Sequence, residues 1–171
     1  MKKFKNEKGI GLVAFILIFV AILVIAGIVV GVIVINKAMN KETISASEFK
    51  EILEYKDFEV VDAKEQFINY DYIEKAYIAL EEDYEYQIEF YKLDEEDEAI
   101  DFYNLNKEKF EEQKGSTSAE TSINIGNNSK YAVKTNGKYK VVSRIENTMI
   151  YLDVDKKYKD EVDEILKELG Y

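Results

Sequence analysis

The chain has 171 residues, 23 Lys and Arg against 34 Asp and Glu for a formal charge of −11, and no His, Cys, Trp or Pro. Without imidazole or thiol it lacks the commonest transition-metal ligands and the usual bases and nucleophiles of catalysis, which leaves carboxylate, hydroxyl, amide and amine chemistry. Its 13 Tyr and 9 Phe lie mostly outside the one long apolar run, so the polar remainder reads as a folding domain and not as a disordered acidic tail.

Residues 1–9 form a basic tail with Lys2, Lys3, Lys5 and Lys8. From Ile10 to Ile35 there follow 26 residues without a charged or hydrogen-bonding side chain: 8 Ile, 7 Val, 3 Leu, 2 Phe, 3 Ala and 3 Gly. As a helix this run is about 39 Å long, more than the roughly 30 Å of a hydrocarbon core. In lipid the backbone has no partner except itself, so helix prevails over the weak propensity of β-branched residues. The run exceeds the length of a cleaved signal's apolar region, which predicts an uncleaved signal-anchor over 10–35. The lysine-rich end stays in the cytoplasm, placing the N-terminus inside and the bulk of the chain outside. From Asn36 onward there are 19 basic and 33 acidic residues, a net of −14, so the outer portion is held off anionic lipid and offers no electrostatic footprint for nucleic acid. Gly27 and Gly31 form a small-xxx-small pair that would let two such helices associate.

The stretch Lys8-Gly9-Ile10-Gly11-Leu12-Val13-Ala14-Phe15 resembles a type IV prepilin leader, in which a basic segment ends in Gly ahead of an apolar helix. That resemblance implies cleavage after Gly9 and assembly through the apolar helix. Ala14 stands where the family carries glutamate.

After a juxtamembrane linker over 36–45, Ser45-Ala-Ser-Glu48 reads as a capping box, and Phe49, Ile52 and Leu53 give one apolar face to a helix over 46–55. Strands are predicted over 58–62, 74–80 and 84–93. In the last, Tyr86, Ile88 and Phe90 alternate with Glu85, Gln87 and Glu89, the pattern of a sheet with one wet face, which puts Tyr86 inward and Tyr91 outward. Carboxylates at Asp94–Glu98 suit a helix start, and a helix over 95–113 presents Ala99, Phe102, Tyr103, Asn106 and Phe110 along one side. The Gly-Ser-Thr-Ser stretch in 114–122 reads as a mobile loop between two halves. Strands over 130–135 and 138–145 flank Asn136-Gly137, a type I′ turn that pairs Thr135 with Lys138. A strand over 148–154 leads to a helix over 156–169 with Val162, Ile165, Leu166 and Leu169 on its apolar face and Gly170 as its stop. The fold class is therefore α+β: an N-terminal transmembrane helix, then over 46–171 a two-layer domain with an antiparallel sheet, two or three packed helices, and the pattern of an internal βββα duplication.

Several residues invite a chemical reading. Asp94–Glu98 with Asp101, and Asp153 and Asp155 with Asp160 and Glu161, are dense enough for a hard cation, but the EF-hand spacing fails and solvated helix starts account for both. Arg144, the only arginine, suits an ion pair or a ligand anion. Tyr84, Tyr86 and Tyr91 could form a sugar- or peptide-binding face, or simply pack. Asn127-Asn128-Ser129 matches a glycosylation sequon. A carboxylate-dependent hydrolase would need paired acids converging with raised pKa values. The sequence assigns no catalytic, cofactor-binding or metal-ligating residue. It predicts a single-pass membrane protein whose extracytoplasmic domain is a binding or accessory module with an envelope or protein partner, not an enzyme, the alternative being a pilin-like structural subunit.

Overall fold

The computed structural model describes residues 22–35 and 39–171. The basic tail, the Lys8–Phe15 leader and the first twelve residues of the apolar run lie outside the described residues. Residues 22–35 form an α-helix, α1, whose Ile, Leu and Val side chains are exposed. Among the described residues no helix is long and apolar enough to cross a membrane.

Residues Asn40–Tyr171 form a separate compact unit. It opens with α2 (Ala46–Tyr55), started by the expected capping box: Glu48 N–H donates to Ser45 Oγ at 3.2 Å, and Ser45 N–H donates to Glu48 Oε2 at 2.7 Å. Strand β1 (Glu59–Asp62), a 3₁₀ turn at Lys64–Phe67, β2 (Ile73–Leu80) and β3 (Gln87–Leu93) lead to α3 (Glu96–Glu112). Strands β4 (Ser118–Ile125), β5 (Asn128–Thr135), β6 (Lys138–Ile145) and β7 (Thr148–Asp155) then precede α4 (Lys159–Glu168). The fold is α+β with one seven-stranded antiparallel sheet in the order β1-β2-β3-β7-β6-β5-β4.

Two turns fix its registers. Asn136 and Gly137 both have positive φ, at 50° and 78°, and pair Thr135 with Lys138 as the type I′ reading requires. Gly126 at φ 59° and Asn127 close the other hairpin, pairing Ile125 with Asn128. Gly170, at φ 85°, ends α4 in the left-handed conformation that glycine adopts without a steric penalty.

The expected two-layer arrangement is corrected to three layers. One core joins α2 and α4 to one sheet face through Phe49, Leu53, Ile88, Phe90, Ile165 and Leu166, with Phe49 stacked on Phe90 at 4.9 Å. A second core joins α3 to the other face through Ala99, Tyr103, Phe110, Tyr91, Val142 and Met149. Tyr91 is accordingly buried, not outward: the rings of Phe67 and Phe102 each meet it edge-on at 5.2 Å. Alternation predicted a wet face because Glu85, Gln87 and Glu89 occupy it early in the strand, yet Tyr91 and Leu93 continue that same face at the strand's end and supply the second core. The duplication also fails as a symmetry. With β3 and β7 antiparallel neighbours, a repeat would relate the two meanders by an axis perpendicular to the sheet and put both following helices on one face, whereas α3 and α4 lie on opposite faces.

The stretch expected to be a loop over 114–122 holds most of β4, which pairs with β5 over eight successive residues. All eight residues of β4 are exposed. It is the outermost strand, and α4 does not cover it.

Candidate functional site

Where the sheet runs out from under α4, β4 and β5 form the floor of an open cleft of about 410 Å³. From β5 come Lys130 and Lys134, flanking Ala132; from α4 come Lys159, Asp163 and Lys167. Ala119, Thr121 and Ile123 supply the β4 side, being the residues that pair with Lys134, Ala132 and Lys130. Strand alternation explains the placement: Lys130 and Lys134 share a face with Ala132, which belongs to the α4 core, but lie beyond the helix's edge.

Asp163 organises one wall. Tyr139 Oη donates to its Oδ1 at 2.6 Å, and Lys159 donates to its Oδ2 from one turn earlier. Burial alone would raise the Asp163 carboxyl, but the Lys159 and Tyr139 contacts outweigh it and hold the group below the usual carboxylate range. Lys130, on the floor, is also displaced downward, but here burial is the cause and not the opposing effect. Burial, with the positive charges of Lys41 and Lys159 nearby, pushes its amine below the ordinary lysine value despite Asp163. Lys130, Lys134 and Lys167 have no ion pair among the described residues. Glu120, at the rim, is already engaged by Lys114 at 2.8 Å and by the Tyr131 hydroxyl at 2.8 Å. A domain with a large acidic excess thus gathers uncompensated ammonium groups in one hollow. Chemically, such a hollow can hold an anion by charge and by N–H donation.

The residues singled out in the sequence are mostly consumed by structure. Glu95 and Glu98 form a second capping box at the start of α3. Asp153 pairs with Lys140 at 2.6 Å, Asp155 with Lys138 at 2.7 Å, Asp160 with Lys159 at 3.4 Å, and Glu161 accepts from Tyr86 Oη at 2.7 Å. Among the described residues no three carboxylates gather as a metal site would require. Arg144 is buried, with Nη1 donating to Glu96 Oε1 and to the Glu146 carbonyl, each at 2.9 Å, while its Nε has no hydrogen-bond partner. Tyr86 and Tyr91 lie in opposite cores and Tyr84 in an exposed turn at φ 57°, so the three form no common face. Asn127 of the sequon hydrogen-bonds Lys41 and Glu146 through its side chain. The carboxylates whose titration is displaced, Glu48, Glu120, Asp155 and Asp163, are all displaced downward, the opposite of what a carboxylate acid catalyst needs.

A second hollow, of about 510 Å³, lies between the start of α2 and β2. Its Lys92 is paired with Glu74 at 2.7 Å and its Glu48 is engaged in the capping box, so it carries less free charge. The lysine cleft was not singled out in the sequence, because its cations lie far apart in the chain. The readable signal was Gly126-Asn127, a two-residue turn between 118–125 and 128–135 that would have brought β4 beside β5. No protein-family model, curated protein or solved structure matches the chain.

Proposed function

We propose that the chain is a single-pass membrane-anchored protein, N-terminus cytoplasmic, whose extracytoplasmic domain binds an anionic partner in the lysine cleft and does no catalysis of its own. The observation that carries this reading is the set of unpaired amines at Lys130, Lys134 and Lys167 in a domain whose acids greatly outnumber its bases. A cleft of that sign inside a field of the other sign favours a specific anionic group over a general polyelectrolyte surface. The anchor rests on the 26-residue apolar run, and the eleven large aliphatic side chains exposed along α1 are what a lipid-facing helix would present. The orientation rests on the lysine-rich flank.

Topology and binding are tested separately. The chain has no cysteine, so Ser116→Cys adds a single exposed thiol. On intact cells a membrane-impermeant maleimide should label it without lysis; labelling only after lysis would refute the orientation. Hexametaphosphate titrated into the full-length chain in neutral detergent should bind, and the pair Lys130→Gln and Lys134→Gln should weaken that binding. Unchanged binding would refute the cleft.

A further inference from the structure

Strand β4 combines features that edge strands usually avoid. It is eight residues long, pairs with β5 without a register shift, and carries neither proline nor lysine, with Glu120 its one charge. Such an edge is a template for another strand unless it is shortened, bulged, charged or covered. The opposite edge of the same sheet, β1, is guarded: it has four residues, with Glu59 and Asp62 at its ends. In a two-residue hairpin the residues flanking the loop exchange both hydrogen bonds. Counting back from Ile125, the N–H and C=O groups of Ser118, Glu120, Ser122 and Asn124 therefore face the open edge, while Ala119, Thr121, Ile123 and Ile125 bond to β5.

The same alternation ties the edge to the cleft. Ala119, Thr121 and Ile123 point to the face that carries Lys134, Ala132 and Lys130. An added strand would lie about 10 Å from β5, two strand spacings away, within the combined reach of a lysine and a glutamate side chain across the small Ala119 and Thr121. Building on the anion-binding reading of the cleft, we propose that β4 is an acceptor edge for an extended acidic segment of a partner protein, which adds as an eighth strand and directs alternate carboxylates at Lys130 and Lys134. This is strand addition, in which main-chain hydrogen bonds give affinity and alternate side chains give specificity. Charge complementarity selects the occupant. A second copy of the chain pairing through β4 would place both lysine clefts on the same side of the seam, facing each other, on two domains that are both strongly negative. A polyanion without a peptide backbone would satisfy the lysines but leave the open N–H and C=O groups of β4 unused.

The test uses the full-length chain in neutral detergent and a labelled peptide of alternating glutamate and valine, long enough to pair with all of β4, with anisotropy as the readout. Ser122→Pro removes one outward N–H and no bond to β5, a position edge strands tolerate. It should weaken the peptide about tenfold while leaving hexametaphosphate binding and the thermal midpoint unchanged. The peptide N-methylated at alternate residues along one edge should lose a similar factor on the unaltered protein, an arm that does not depend on a variant folding. Lys130→Gln with Lys134→Gln should weaken both probes. If lysine replacement abolishes peptide binding but proline and N-methylation leave it unchanged, strand addition is overturned and the anion cleft stands. If lysine replacement changes neither probe, the cleft falls and the acidic occupant with it. Failure of the peptide to bind, or sedimentation showing a dimer that Ser122→Pro dissolves, overturns the proposal in favour of no strand partner or of a second copy.

Discussion

Tyr91→Ala separates a three-layer domain from a two-layer one. In a sheet with one wet face, Tyr91 would project into water and its removal would change stability by no more than about 0.5 kcal/mol. In the structure it is 4% exposed, wedged edge-on between Phe67 and Phe102, with its hydroxyl donating to Glu89. Truncating a buried aromatic to alanine costs about 3–5 kcal/mol. Domains of this size have roughly 5–15 kcal/mol in total, so about a fifth or more of the stability should go. The melting temperature should fall by roughly 10 °C or more. Urea unfolding followed by circular dichroism measures it, with the slope unchanged if the unfolded surface is the same. Tyr91→Phe, which keeps the ring and removes the hydroxyl, should lose only about 1 kcal/mol. A loss below about 0.5 kcal/mol for the alanine variant would refute the second core and the position of α3.

Replacing Ser45 by alanine breaks the capping box of α2 and should lower stability by about 1 kcal/mol in the same titration, because Glu48 N–H loses its acceptor. Gly137→Ala, at φ 78°, should lose about 1–2 kcal/mol from the left-handed penalty, although nothing crowds the added methyl. Asp163 has a folded pKa held below its unfolded value. Its share of stability is therefore present above the unfolded pKa of about 3.9 and lost as pH falls through the folded one, so Asp163→Asn should flatten the acid limb of stability against pH. Lys130→Met should raise thermal stability at pH 7 by about 0.5–2 kcal/mol while weakening hexametaphosphate binding, because burial disfavours the charged amine.

Where local chemistry decides a segment, the sequence could be read. Ser45 to Glu48 announced α2, Asn136-Gly137 announced the β5–β6 register, and the spacing of Val162, Ile165, Leu166 and Leu169 announced the buried face of α4, though its first turn proved to be 3₁₀ at Lys156–Tyr158. Segments decided by tertiary contacts were not legible. Strand β4 sets Ala119, Thr121, Ile123 and Ile125 against Ser118, Glu120, Ser122 and Asn124, but the small polar residues at its start mask that alternation, all eight residues stay exposed, and its place is set by pairing with β5. Tyr91 and Leu93 gained their burial from α3 and the 3₁₀ turn, which the strand's own pattern does not encode. The cleft joins Lys130 and Lys134 to Lys159 and Lys167, groups roughly thirty residues apart that only the packing of α4 beside β5 brings together.

Lys130 and β4 pose the same physical question from two sides. A half-buried amine with cationic neighbours, beside an aspartate already engaged by Lys159 and Tyr139, lowers the stability of the domain that holds it. An unguarded eight-residue edge exposes that domain to unwanted pairing. Each taken alone would be removed by a single substitution, methionine at 130 or lysine within β4. They lie side by side on one face, and a single extended anionic partner relieves both at once, neutralising the amine and pairing the edge. Binding should then stabilise the fold measurably, by about 2.7 kcal/mol when the ligand is at a hundred times its Kd. An acidic peptide that binds but leaves the melting temperature where it was would have to engage some other part of the molecule.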